Sequence, residues 1–252
     1  SCLAAGNSAI VKPSELTPAT SAVIAKIIAS AFDPDLVAVA EGGVETSTEL
    51  LALPFDHIFF TGSPEVGRIV MTAAAKHLST VTLELGGKSP VIVGPGADLA
   101  KAAEWITFGK LTNAGQTCIA PDHLFVHEDI RDAFLPLLRA RIARVIEKGP
   151  MAGIISPRHA DRLETLLREA EAAGAKVIRV RAGGEGSFTP ALVSAIPPEL
   201  RLDQEEQALW SETRPRFIAE FCLKLIQAHR HVFIRAKLHF RSSCQKFFVC
   251  RT

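Results

Sequence analysis

The chain has 252 residues, 48% of them apolar, and a formal net charge of +1. That length suffices for one large domain or two smaller ones, with apolar content enough for a sizeable core. The near-neutral charge gives no global pull toward nucleic acid, a membrane surface or acidic partners, and no run of about 18 or more apolar residues offers a transmembrane helix.

The start of the chain, from Ser1 to Gly6, has no basic region and no initiator methionine, so it reads as an internal start rather than a signal peptide. Residues 8–12 form a short apolar strand ended by Pro13. Thr17 is a good N-cap with Pro18 in the first helical position, and an Ala/Ile/Val-rich helix follows to Ala31. Strand signals recur at 36–39, 57–60, 81–85 and 90–93. Helices are expected at 46–53 and from Ser63-Pro64 to about Lys76. Asp98 caps a helix through Leu111, and Asp129 caps one through about Lys148. Ser156-Pro157 opens another, stopped by Gly174, and strands follow at 176–180 and 188–195. Repeated strand–helix–strand units with near-continuous apolar strands predict an α/β fold, a parallel sheet covered by helices on both faces. After about Gln207 basic residues crowd in around Glu212 and Glu220, and periodicity is weak. Five scattered cysteines (Cys2, Cys118, Cys222, Cys244 and Cys250) read as the reduced set of a cytoplasmic protein. Cys222, His229, His231, His239, Cys244 and Cys250 fit no usual zinc spacing, so no metal site is expected.

Four places carry chemistry. Cys118 follows the glycine-bearing turn Gly115-Gln116-Thr117. Nearby amides or a helix N-terminus there would lower a thiol pKa and make a nucleophile. A buried structural cysteine shows the same pattern. Glu84 leaves a strand immediately before the double-glycine turn Gly86-Gly87. Partly buried at a parallel-sheet edge, it would suit a general base; satisfied by the turn's own amides, it would do nothing more. Residues 60–68, Phe-Thr-Gly-Ser-Pro-Glu-Val-Gly-Arg, pass from strand through glycine into a helix start that suits a phosphate. They lack the GxGxxG fingerprint, and an ordinary βα turn reads alike. Lys12-Pro13-Ser14-Glu15 offers a cation and a carboxylate after a strand, for ribose or phosphate or simply for solvent.

Taken together the four resemble the aldehyde dehydrogenase superfamily. Residues 83–90, Leu-Glu-Leu-Gly-Gly-Lys-Ser-Pro, match its glutamate signature, and residues 111–122 match its cysteine signature. The separation of 34 positions from Glu84 to Cys118 also matches. Cys118-Ile119-Ala120-Pro121-Asp122 further resembles the branch that includes coniferyl-aldehyde and fatty-aldehyde dehydrogenases, and the family resemblance as a whole covers roughly residues 1–206. The resemblance implies a partial doubly wound parallel sheet as part of a NAD(P)-binding domain over 1–86, part of an α/β catalytic domain over 87–206, and a basic tail outside the pattern over 207–252. It implies NAD(P)-dependent oxidation of an aldehyde, aromatic or medium-chain aliphatic, to a carboxylic acid. Cys118 would form the thiohemiacetal and thioester, and Glu84 would activate the hydrolytic water. Lys12 and Glu15 would bind the adenosine ribose, Gly62 and Ser63 the pyrophosphate, Gly86 the nicotinamide side, and Glu206 the nicotinamide ribose. A carboxylate at Glu15 would repel a 2′-phosphate, which favours NAD while leaving NADP accessible. Full-length relatives are homo-oligomers.

The sequence also departs from the family. The family's chains are longer at both ends, and nothing here matches the asparagine that completes its oxyanion hole. Gln204-Glu205-Glu206 begins a family motif, but Gln207-Ala208-Leu209-Trp210 then replaces its Ile-Phe-Gly-Pro. These departures lead to the expectation of a fragment whose reading frame changes near Glu206. They leave open a non-catalytic nucleotide-binding module or a non-functional gene remnant.

Overall fold

A computed structural model describes residues 1–149, 152–180, 189–197, 200–204, 210–212 and 246–251. The chain divides into two units, Ser1–Gly86 with Arg241–Thr252, and Gly87–Phe240. Glu206 lies outside the described residues, as does most of the segment beyond it.

The first unit is built on the sheet β2-β1-β10-β3-β4. Its strands are β1 (Ser8–Pro13), β2 (Val37–Val39), β3 (His57–Gly62), β4 (Thr80–Leu85) and β10 (Lys246–Arg251). β1 is parallel to β2 and β3 to β4, while β10 lies antiparallel between β1 and β3. Helix α1 (Pro18–Ala31) carries the chain outward from β1 to β2, and α3 (Pro64–Ala75) carries it the opposite way from β3 to β4. Right-handed crossovers in opposite directions put these helices on opposite faces of the sheet, the doubly wound arrangement. The short α2 (Val44–Leu51) lies between. The core is Phe55, Ile58, Phe60, Val70 and Ala74, where α3 seals one face of β3 and β4.

The second unit carries the sheet β5-β6-β9-β8-β7. It comprises β5 (Ser89–Val93), β6 (Pro121–Val126), β7 (Lys176–Arg179), β8 (Ala191–Ser194) and β9 (Trp210–Glu212), parallel except for β7 against β8. Helices α4 (Leu99–Leu111) and α5 (Glu128–Glu147) bury Ile106, Phe134, Leu138 and Ile142 against Leu124 and Val126. α6 (Pro157–Ala172) buries Leu163, Leu166, Leu167 and Ala170 beside Ala191 and Val193 of β8, with Leu202 of the short α7 (Arg201–Gln204).

The α/β class with parallel strands is borne out, and the boundaries of most elements differ from expectation by a residue or two. The expected caps at Ser63, Asp98 and Ser156 each accept a backbone N–H of the following helix. Two caps differ. Thr17 makes no capping bond, because its hydroxyl donates to the Ser14 carbonyl (3.3 Å) instead. α5 begins earlier than Asp129 and is capped by the imidazole of His127. β6 is a strand that the sequence reading did not contain. The weak periodicity read beyond residue 207 also did not foresee β10. Cys2 is disulfide-bonded, against the expectation of a wholly reduced set. Among the described residues no helix is long and apolar enough to cross a membrane.

Phe134 is fully buried where α4, α5 and β6 meet. Phe134→Ala is expected to lower unfolding free energy by about 3–5 kcal/mol, because the cavity is lined by side chains already committed elsewhere. Urea denaturation followed by circular dichroism measures it, and a loss under about 1 kcal/mol would show that this cluster does not hold the second unit together.

Candidate active site

In the first unit β1, β3 and β4 all run the same way, so their carboxyl ends share one sheet edge. Lys12, Gly62 and Glu84 close those strands, and Glu15, Ser63 and Gly86 follow them. The fold thus brings six of the expected site residues to one edge, beside the point where the strand order reverses, where open α/β sheets bind ligands. Lys12 is buried, and its ammonium donates to the Pro13 carbonyl (3.0 Å) and to Glu15 Oε2 (2.8 Å). The hydrogen bond from Lys12 holds the Glu15 carboxyl below the usual glutamate range, although burial opposes it. Ser63 accepts from Val66 N at the N-terminus of α3. Gly67, one turn on, lets that helix approach β4: a Cβ there would stand 2.9 Å from Leu85 Cδ2. A capped helix start packed closely on a carboxyl edge is chemically suited to a pyrophosphate. Glu84 sits in register with Thr61 of β3 and is exposed, where partial burial was expected.

The second unit holds the cysteine. α4 ends in a turn in which Asn113 (φ 53°), Ala114 (φ 54°) and Gly115 (φ 76°) are all left-handed. Only glycine adopts this region without steric cost, so the two other residues store roughly 1–2 kcal/mol each. The side-chain amide of Gln116 offsets that strain. It donates to Asn113 O (3.0 Å) and Gly153 O (3.1 Å) and accepts from Ile155 N (2.8 Å). Cys118 follows, half-buried and not disulfide-bonded, in a tight turn closed by Ala120 N on Thr117 O (2.9 Å). It therefore sits in a loop before β6, not on a helix N-terminus. Its carbonyl is held by Ser89 Oγ, which donates at 3.2 Å. Gly87 approaches so closely that a Cβ would lie 2.5 Å from the same oxygen.

Around this clamp lies a charged cluster to which the sequence reading assigned no role. Asp122 is buried; Lys88 Nζ lies 2.7 Å from its Oδ2, His123 Nδ1 3.0 Å from its Oδ2, and buried Lys110 Nζ 3.8 Å from its Oδ1. Lys88 also donates to Leu202 O (3.3 Å). One signal was present in the sequence: Asp122 alternates with Leu124 and Val126, both buried, so the strand period puts its carboxylate on the inward face. No grouping of ligating side chains suited to a metal ion occurs among the described residues.

These observations define an α/β protein with a capped βα turn at a carboxyl sheet edge in one unit and a clamped cysteine loop in the other. The chain belongs to the aldehyde dehydrogenase family, whose model matches residues 1–207. It is similar to the Bacillus subtilis protein AldX, 47% identical over 213 residues that make up 81% of this chain and 48% of that one. It is also similar to the coniferyl aldehyde dehydrogenase of a Pseudomonas strain, 39% identical over 81% of this chain and 44% of that protein. The Mycobacterium tuberculosis aldehyde dehydrogenase solved in complex with NAD+ superposes with a TM-score of 0.73 at 28% identity, covering 83% of this chain and 47% of that one. The chain thus spans about half the length of the curated relatives it matches.

Gly87→Ala tests the clamp. The added methyl must displace the Cys118 carbonyl or its own loop, and is expected to cost about 1–3 kcal/mol. Thermal unfolding measures this, and a variant as stable as the parent would show that the loop yields without strain.

Proposed function

We propose that this chain carries the catalytic thiol and the cofactor edge of a NAD(P)-dependent aldehyde dehydrogenase, oxidising an aldehyde to a carboxylic acid. Residues 1–86 serve the cofactor and residues 87–206 the chemistry. The observation that carries the reading is the turn at Cys118, strained before the cysteine and pinned after it, with the side chain half-buried rather than sealed in the core. Backbone strain of this kind persists where the surroundings over-determine it, as functional sites do.

Cys118 attacks the aldehyde carbon and makes it tetrahedral, which turns a poor source of hydride into a good one. Its own backbone N–H supports the oxygen that becomes negative. When bound, the nicotinamide supplies the two-electron acceptor. The acyl group is left on sulfur as a thioester, and Glu84 takes a proton from the water that hydrolyses it. Thiolate suits both ends of this sequence, since it attacks well and leaves well. Lys12 and Glu15 hold the adenosine ribose, Gly62 and Ser63 the pyrophosphate, Gly86 lines the nicotinamide side, and Glu206 holds the nicotinamide ribose. The carboxylate at Glu15 favours NAD over NADP. The likeness to a coniferyl aldehyde dehydrogenase supports an aromatic aldehyde, with medium-chain aliphatic aldehydes next. A cytoplasmic, homo-oligomeric protein fits this reading.

The test is NADH formation from NAD+ and an aromatic or medium-chain aldehyde, followed by absorbance. Cys118→Ala is expected to lower the rate by at least about a thousandfold, because loss of a covalent nucleophile removes the pathway rather than one contact. A Cys118→Ala rate within tenfold of the parent would sink the proposal.

A further inference from the structure

We propose that Asp122, acting with Lys88 and Ser89, is the positioning group for Cys118. The inference rests on reading Cys118 as the nucleophile and extends it to residues that do not touch substrate.

Two stretches of chain deliver Cys118. One is α4, whose buried Lys110 precedes the left-handed turn; the other is Gly87-Lys88-Ser89, which opens β5 and grips the Cys118 carbonyl. The Asp122 carboxylate lies four residues beyond the cysteine and gathers both, with Lys88 Nζ at 2.7 Å and Lys110 Nζ at 3.8 Å. Lys88 is held a second time by the Leu202 carbonyl at 3.3 Å. The β5–β6 ladder begins at the same place, with Ser89 paired to Pro121 and a register shift immediately after.

The single Ser89–Cys118 hydrogen bond would contribute little alone, since it replaces a bond to water. Its neighbours make it directional. Ser89 cannot swing away without drawing Lys88 off a carboxylate that is almost wholly buried, and a charge pair in that environment resists separation far more than an exposed one. The peptide plane that follows Cys118 is thereby fixed, while the left-handed turn ending at Gly115 restrains the chain before it, so the Cα that carries the thiol is held from both sides. The thiol and the N–H of Cys118 must meet the same carbonyl carbon and oxygen in the proposed reaction, where small misplacements are costly.

The test uses the full chain and two readouts: alkylation of Cys118 by iodoacetamide, resolved from the other cysteines by peptide mass spectrometry, and steady-state kinetics with NAD+ and aldehyde. Ser89→Ala and Asp122→Asn are each expected to lower kcat about tenfold with KM for both substrates within twofold, and to change the Cys118 alkylation rate at least threefold. Ser89→Thr restores the hydroxyl and is expected to restore both. Asp122→Asn leaves two lysines facing each other and can fail to fold. The triple variant Lys88→Met, Lys110→Met and Asp122→Leu removes the carboxylate and both lysine charges and is expected to keep the packing while showing the same kcat loss. The proposal is overturned if Ser89→Ala and the triple variant keep alkylation and kcat within twofold of the parent. It is equally overturned if every loss tracks a lower melting temperature and greater alkylation of all cysteines, which is what a purely structural role gives. If the parent forms no NADH, the enzymatic reading fails, and the alkylation arm still decides whether Cys118 is positioned by these residues.

Discussion

The grip on one peptide carbonyl organises the second unit. Gly87 can lie against Cys118 O only because it has no side chain, and Ser89 donates to the same oxygen. On the other side of the cysteine, three successive left-handed residues hold a turn that most sequences would relax. Strain upstream and a clamp downstream leave the cysteine little freedom, and the energy that maintains this comes from the α4–α5–β6 core beneath it.

The first unit answers a different requirement by topology alone. Its crossovers depart from β1 and β3 in opposite directions, so the carboxyl ends of β1, β3 and β4 share one edge and the strand order reverses between β1 and β3. Lys12 and Glu15 flank that reversal on one side, Gly62 and Ser63 on the other. The Lys12 ammonium, 2.8 Å from Glu15 Oε2, partly neutralises that carboxylate. β10 fills the gap between the two parallel pairs, beginning opposite Pro13.

How far the sequence spoke depended on the range of the interaction. Local signals were readable: Ser63, Asp98 and Ser156 cap their helices because a short polar side chain before a helical run has one favourable use. His127 was not readable as a cap, since an imidazole rarely serves, and Asp129 beside it offered the commoner choice. β6 was hidden by Pro121 and Asp122, which look like a turn until β5 is known to lie alongside. The left-handed conformations of Asn113 and Ala114 have no signature beyond Gly115. Lys88 and Asp122 are joined only by the β5–β6 register, which no local pattern encodes. β10 comes from a basic stretch, and only the apolar run Phe247-Phe248-Val249-Cys250 hints at a strand. The family resemblance rested on four short motifs, and the family model matches the stretch that contains all of them, residues 1–207.

The claim at the centre is chemical: the acyl group rests on Cys118, and Glu84 is what removes it. Intact-protein and peptide mass spectrometry of Glu84→Gln, after exposure to NAD+ and an aldehyde, tests this most directly. The expected result is a stable acyl adduct on Cys118 that persists for minutes in the variant, where the parent chain turns it over. An adduct on another residue, or clearance of the Cys118 adduct as fast in Glu84→Gln as in the parent, would contradict it.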